Sequence, residues 1–380
     1  MGKRVVVVGG GVGGTIVANH LARKLGRELE LGDLEITMIS PDAQHFYQPG
    51  LLYVMFDLTR PDELSRSQAS LLEPGIRLVQ DWADHVDKDK GEVRTRGGQT
   101  FPYDFLLLAT GSRPSPQLIP GLAEGGHLFY TLDGALKLRE ALFNFQGGKV
   151  VVTVGVPHKC PVAPLEVTFM LDAWFRQRGL RDKVELTYTY PIGRLHALEP
   201  VANWAVPQFA ARDIRGETFF NLKEVDAKAR QLTSIEGTTL PYDLLITVPP
   251  HQGAQVIIDS GVGDKGGWVP TGKHTLLMEG TDNVFVVGDT TNLPISKAGS
   301  TAHFEADVIA DNLASRLQGY PGGRSYDGKV FCFVETGLDQ ATYVWFNFET
   351  PPNPVPPSQA IHWFKLAYNK AYWLTPKGVL

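Results

Sequence analysis

The run Val5-Val6-Val7-Val8, followed at once by Gly9-Gly10-Gly11-Val12-Gly13-Gly14, constrains this chain more than any other feature. Four β-branched residues in a row read as a strand buried on both faces, as in a parallel sheet. Gly9, Gly11 and Gly14 have the spacing G-x-G-x-x-G, a helix-compatible stretch continues through Leu25, and a second strand is expected over Leu34 to Ser40. Strand, glycine turn, helix and strand in that order form the setting in which this spacing holds a dinucleotide. The turn lets backbone N–H groups approach a pyrophosphate at a helix N-terminus, where the dipole favours negative charge. Ser40 stands where an acidic residue commonly ends the second strand to hold a ribose, and Asp42 follows two residues on. The ribose contact is therefore open between the two.

The chain repeats itself. Pro102-Tyr103-Asp104-Phe105-Leu106-Leu107-Leu108 is echoed by Pro241-Tyr242-Asp243-Leu244-Leu245-Ile246, and Lys149 to Val154 repeats the opening valine-rich strand. Two related α/β domains in tandem follow from this. A third apolar strand, Asn283 to Val287, ends in Gly288-Asp289 and leads through Lys297-Ala298-Gly299 into a helical pattern reaching Leu317. The expected fold class is α/β, with two Rossmann-like dinucleotide-binding domains. The first comprises residues 1–115 and 251–322, the second 116–250, and a C-terminal segment 323–380.

Composition removes several classes of function. A formal charge of −5 argues against a protein built to grip nucleic acid. Two cysteines, Cys160 and Cys332, are too few for a secreted disulfide scaffold or a four-thiolate metal site. No stretch approaches the roughly 18–20 apolar residues of a spanning helix, and the four valines after Lys3-Arg4 are too short for a signal peptide.

The second domain lacks the fingerprint of the first. Aligning Val150–Val154 with the opening strand puts Gly155, Pro157 and Cys160 at the three glycine positions. Proline brings no N–H and a ring where close approach is needed. The following strand, Val184 to Tyr190, ends without an acidic residue, so NADH is not expected to bind there. Cys160 beside a helix N-terminus would have its thiolate favoured by the dipole, with His158 and Lys159 adding to this; the competing reading is a buried structural cysteine. Cys332, within Val330-Phe331-Cys332-Phe333-Val334, reads on its own as a core residue.

The glycine turn, the strand end Ala109-Thr110-Gly111 and Gly288-Asp289 together resemble the flavoproteins with two dinucleotide-binding domains. Within them the chain resembles the sulfide:quinone oxidoreductases. The resemblance is carried by Gly155 to Glu166 around the first cysteine, by Gly288 to His303, by Lys329 to Glu335 around the second cysteine, by Tyr47-Gln48-Pro49-Gly50 and by Ile361 to Lys365. Many members have a third cysteine between the domains, which this chain lacks. The resemblance implies FAD in the first domain, held by Gly9, Gly11, Gly14, Ser40 or Asp42, Ala83, Thr110, Gly111, Gly288, Asp289, Lys297 and Gly299. It implies a Cys160–Cys332 redox pair attacked by hydrosulfide, with Cys160 favoured as the cysteine facing the flavin. Glu166 and His196 are the implied proton carriers; the plainer readings are a first-turn carboxylate and a surface histidine.

From Ala341 to Leu380 there are nine aromatic residues, and after Glu349 there are three lysines and no acid. On a helical wheel from Ser358, the residues Ile361, Phe364, Tyr368, Ala371 and Tyr372 share a face flanked by Lys365 and Asn369; Lys365 reads either as a residue near the quinone or as a membrane-surface lysine. Aromatics with lysines on an amphipathic helix read as an interfacial anchor, so a peripheral (monotopic) membrane protein is expected. The expected partners are sulfide, a membrane quinone and the lipid surface, with a homo-oligomer open. The alternatives are the flavin subunit of a flavocytochrome c-type sulfide dehydrogenase, a type II NADH:quinone dehydrogenase and a non-catalytic flavin-binding membrane module.

Overall fold

A computed structural model describes residues 2–379. The opening valines form β1 (Lys3–Val8), the glycine turn leads into α1 (Val12–Lys24), and β2 (Leu34–Ile39) follows. Then come β3 (Ile76–Val79) and β4 (Phe105–Leu108). Far along the chain, Val284–Val286 adds to the other side of β4, giving a parallel sheet in the order Val284–Val286, β4, β1, β2, β3. The valines of β1 are buried on both faces, as a sheet covered on each side requires.

The second sheet repeats this plan. Its centre is β5 (Gly148–Val154), with β6 (Val184–Thr189) on one side and β7 (Leu244–Val248) on the other, all parallel. His127–Leu128 and Arg215–Glu217 form its edges. Helix α2 (Ala163–Gln177) crosses from β5 to β6, and its buried face joins the core of this half.

The sequence echo has a physical counterpart. Asp104 accepts from the backbone N–H of Arg4 at 2.7 Å and donates its own N–H to the Arg4 carbonyl at 2.9 Å. Asp243 does the same with Lys149, at 2.8 Å in both directions. In each half the aspartate clips the start of the central strand, and in each it follows a three-stranded antiparallel sheet.

After Val284–Val286 the chain forms α3 (Gly299–Leu317), which packs on α1, and then the hairpin of β8 (Val330–Glu335) and β9 (Ala341–Phe346). The proline run 351–357 is extended and docked. Thr342 Oγ1 donates to the Val355 carbonyl at 2.6 Å, and Ala341 and Ser358 exchange backbone bonds at 2.9 and 3.1 Å. Ser358 then caps α4 (Gln359–Ala371), accepting from the Ile361 N–H. Among the described residues, no helix is long and apolar enough to cross a membrane.

On α4 Phe364 and Tyr368 point outward, the side an interfacial face needs, joined by Trp363 and Leu366. The structure departs from the wheel in burying Lys365 with His362, and Tyr372 just beyond the helix end. Lys365 is 7% exposed, not a surface lysine. The cause is electrostatic. Buried carboxylates wait beneath the helix, and a buried charge must be paired. Lys365 therefore turns inward, His362 beside it hydrogen-bonds Glu335, and the aromatics go to the surface.

Candidate functional site

The glycine turn is built by contact. A Cβ on Gly9, whose φ is +114°, would sit 2.2 Å from the Ala109 carbonyl oxygen, and one on Gly14 would sit 2.1 Å from the Gly9 oxygen. Gly11, by contrast, caps α1 and faces open space, as do Gly111 at the end of β4 and Gly299 at the head of α3. Three backbone positions facing open space, two of them at helix N-termini, make a cradle that suits a pyrophosphate. Ser296 Oγ and Thr301 Oγ1, buried around the start of α3, have no hydrogen-bond partner within the chain. Such atoms call for an external partner.

Around this cradle, Gly111 donates its N–H to Thr290 Oγ1 at 2.9 Å, and Thr110 Oγ1 lies 3.4 Å from the same hydroxyl. Asp289 Oδ2 accepts from Ser112 Oγ at 2.7 Å and lies 4.0 Å from Lys159 Nζ. Gly288, with φ +68°, donates to Glu305, a fully buried carboxyl that burial pushes up to about 8. Ser40 is buried at the end of β2 with its hydroxyl beside Gly10, whereas Asp42 is exposed two residues on. Ala83 is half-buried and opens the strand Ala83–Asp87. Lys297 does not aim into the cradle. Its ammonium is held by the carbonyls of Asp289 and Thr291 at 3.2 and 2.5 Å and lies 4.4 Å from the centre of the Trp268 ring.

The turn between β5 and α2 lies over this region. Cys160 has φ +53°, a left-handed conformation uncommon for a residue with a side chain. Its N–H donates to the Lys297 carbonyl at 2.7 Å, and Lys159 Nζ reaches Gln48 Oε1. These bonds staple the turn to the first domain, across the place where a second dinucleotide would approach its helix. Cys332 arrives from β8, and both cysteines pack at the edge of the same apolar core as free thiols. They are close enough that a charge on Cys160 raises the Cys332 thiol, which burial together with this charge pushes up to about 12. Ser300, near the head of α3, opposes that rise.

The Cys160 thiol is raised by burial. The Ala163 N–H at the start of α2, Lys365 and Lys159 act in the opposite direction. The expected help from the helix N-terminus is present, but burial outweighs it. His158 takes no part: it is pressed toward neutrality by its own burial and bonds the Lys159 carbonyl at 3.1 Å.

Glu166 lies in the first turn of α2, 3% exposed, and bonds both Lys365 Nζ and, at 2.9 Å, the N–H of Glu335. His196 is fully buried, which removes the surface reading. Its Nδ1 accepts from the Leu198 N–H at 3.0 Å, and burial takes its pKa down to about 4, so the ring is neutral at pH 7. A cluster that the sequence reading does not assemble gathers here: Lys365 and the Glu335 N–H bond Glu166, and Tyr53 and His362 in turn bond the Glu335 carboxylate. A signal was available. Glu335 is the one charge in Val330–Glu335, and His362 and Lys365 stand three apart on a helix whose other side is aromatic.

Comparison with known proteins agrees with this arrangement. The chain is 28% identical over 360 residues to the mitochondrial sulfide:quinone oxidoreductase of Mus musculus, covering 92% of this chain and 79% of that protein. It is 25% identical to the sulfide-quinone reductase of Aquifex aeolicus, covering 100% of this chain and 92% of the relative. The crystal structure of the Aquifex aeolicus sulfide:quinone oxidoreductase has the same fold, with a TM-score of 0.87 and 23% identity over 99% of this chain and 92% of that one. NDH2 from Plasmodium falciparum shares the fold at a TM-score of 0.73 and 13% identity, over 99% of this chain and 97% of that one. Residues 3–306 match the pyridine nucleotide-disulphide oxidoreductase family. The chain is an oxidoreductase that resembles the sulfide:quinone oxidoreductases, and it belongs to the pyridine nucleotide-disulphide oxidoreductase family.

Proposed function

We propose that this chain is an FAD-dependent sulfide:quinone oxidoreductase, working at the lipid surface, that oxidises sulfide at Cys160 and Cys332 and passes two electrons to a membrane quinone. The observation that carries the reading is the convergence of the two cysteines: one from the second-domain turn and one from β8 meet beside the head of α3. The glycine cradle fits FAD, with Gly11, Gly111 and Gly299 at the open backbone positions and Asp289 beside them. When bound there, FAD supplies the two-electron carrier between sulfur and quinone.

The residues of the chain do the rest. With the pair oxidised to a disulfide, hydrosulfide attacks one sulfur, leaving a persulfide on that cysteine and a thiolate on the other. Lys365, Lys159 and the Ala163 N–H stabilise negative charge on Cys160 against the opposing effect of burial. Glu166 holds Lys365 in place for this. The outward Trp363, Phe364, Leu366 and Tyr368 of α4, on a segment without acidic residues, suit a membrane interface and favour a lipid-soluble acceptor over a cytochrome. The stapled turn around Cys160 argues against NADH as the donor.

The test is anaerobic. Sulfide should bleach the flavin absorbance, a short-chain quinone should restore it, and NADH should do nothing. Cys160→Ser retaining full sulfide-dependent bleaching would overturn the assignment.

A further inference from the structure

The reaction just proposed, on which this inference rests, has a proton balance. Hydrosulfide and quinone become sulfane sulfur and quinol: sulfur loses two electrons, the quinone gains two, and the quinol needs two protons. Hydrosulfide supplies one. The other must come from water into a site whose ionisable groups are buried.

The structure contains a chain of groups suited to this. His362 has the most exposed side chain of the cluster, at 11%, against 9% for Lys365, 4% for Glu166 and 1% for Glu335. Its Nδ1 lies 2.9 Å from Glu335 Oε2. The other oxygen of Glu335 accepts from Tyr53 OH and lies 3.8 Å from Lys365 Nζ. Lys365 in turn bonds Glu166 and is close enough to Cys160 for the two charges to be felt by each other. Three elements thus contribute one line of groups running from His362, the least buried of them, toward Cys160.

A purely structural ion pair would be complete with Lys365 and Glu166. Glu335 and His362 add a second buried carboxylate and a second base, and burying them is unfavourable unless they are used or fully paired. The groups facing Glu335 are Tyr53, His362, Lys365 and, more remotely, Asp339. Those facing Lys365 are Glu166, Glu335, Cys160 and the Tyr53 ring. In this setting burial raises Glu335 above the usual carboxylate range and lowers Lys365 to about 7.

We propose that His362 and Glu335 form the proton inlet of the enzyme. Solvent supplies a proton at His362 Nε2 as Nδ1–H is given up to Glu335 Oε2, and the protonated carboxyl turns to hand that proton to neutral Lys365, which serves the reducing site. No atom other than the proton is transferred, and the imidazole ring and the carboxyl each reorient once per turnover to recover their starting states.

The experiment separates the two half-reactions in the FAD-loaded protein by stopped flow. In His362→Ala and Glu335→Gln, bleaching by sulfide should stay within about twofold of wild type, whereas reoxidation by quinone should fall about tenfold or more above pH 7. Added imidazole should restore reoxidation in His362→Ala alone. In 15N-lysine-labelled protein, Lys365 should titrate at lower pH in Glu335→Gln than in wild type, because a nearby anion has been removed. Unchanged reoxidation at pH 8 in His362→Ala would overturn the inlet. So would a parallel fall in both half-reactions without imidazole rescue. Wild-type protein that sulfide fails to bleach would instead overturn the parent reading, and the inlet with it.

Discussion

The backbone N–H of Cys160 donates to the carbonyl oxygen of Lys297 across 2.7 Å, joining loops that follow strands of different sheets. The position of the cysteine is therefore set by the head of α3 as much as by its own turn. The Lys297 side chain is committed elsewhere, to two carbonyls and the Trp268 ring.

The glycines separate into those needed by the fold and those needed by the ligand. Gly14→Ala forces a methyl group against the Gly9 oxygen and should destabilise the protein by about 1–3 kcal/mol. Gly11→Ala meets nothing within the chain, so the cofactor-free protein should melt as wild type while FAD affinity drops about tenfold or more. Thermal melts of the stripped protein and flavin titration check both. Equal FAD affinity in Gly11→Ala would place the pyrophosphate elsewhere.

Lys365 and Glu166 should behave as a buried pair. Removing only the cation with Lys365→Met leaves an unpaired buried carboxylate and should cost about 3–5 kcal/mol. Adding Glu166→Gln should recover most of that loss. The measurement is a denaturant midpoint for each single variant and the double. A loss of less than about 1 kcal/mol in Lys365→Met would show the pair to be solvated.

Glu305 predicts a pH dependence of stability. Its carboxyl titrates at about 8 when folded, against a usual 4.5, because it is fully buried. A raised acid is neutral in both states below its unfolded pKa, so its contribution is complete there. It is lost as the pH rises from 4.5 to about 8, where the unfolded chain is ionised and the folded one is not. Glu305→Gln should flatten that decline, its melting temperature gaining on wild type between pH 5 and pH 8. Parallel curves would show that Glu305 is already ionised in the fold.

The outward face of α4 predicts a separation of binding from folding. Trp363 and Phe364 are 60% and 68% exposed and carry little packing. Replacing both with serine should leave the melting temperature unchanged and weaken binding to anionic vesicles about tenfold or more. Vesicle cosedimentation is the readout, and unaltered sedimentation of the double variant would rule out this face as the contact.

Much of this was legible from local signals. The β1 valines and glycine spacing gave the first sheet and its turn, and the echo around Asp104 and Asp243 marked equivalent clips in two halves. Both cysteines and Glu166 stand out in the sequence itself. What stayed hidden depends on partners far away in the chain. Lys365 reads as a surface lysine until Glu166, 199 residues earlier, is brought beneath it. The wheel of α4 puts Phe364 and Tyr368 on an interfacial face, where they are exposed, but leaves Lys365 at its flank, because the carboxylates that draw Lys365 inward lie far away in the chain. The Cys160 thiol showed the reverse balance: a helix N-terminus is legible in sequence, but the burial that outweighs it is not.

The last turns of the chain finish work begun by the first. Asn19, buried within α1, donates to the carbonyls of Leu71 and Pro376 at 2.7 and 2.6 Å, and His45, which bonds the Gly10 carbonyl at 3.0 Å, is held from the other side by Tyr372 OH at 2.6 Å. Translation delivers these donors and acceptors far apart in time. A nascent polypeptide halted before Tyr372 has its first sheet complete in sequence yet keeps polar atoms beside the glycine turn without their mates, so maturation of that turn waits until Tyr372 and Pro376 have emerged from the ribosome.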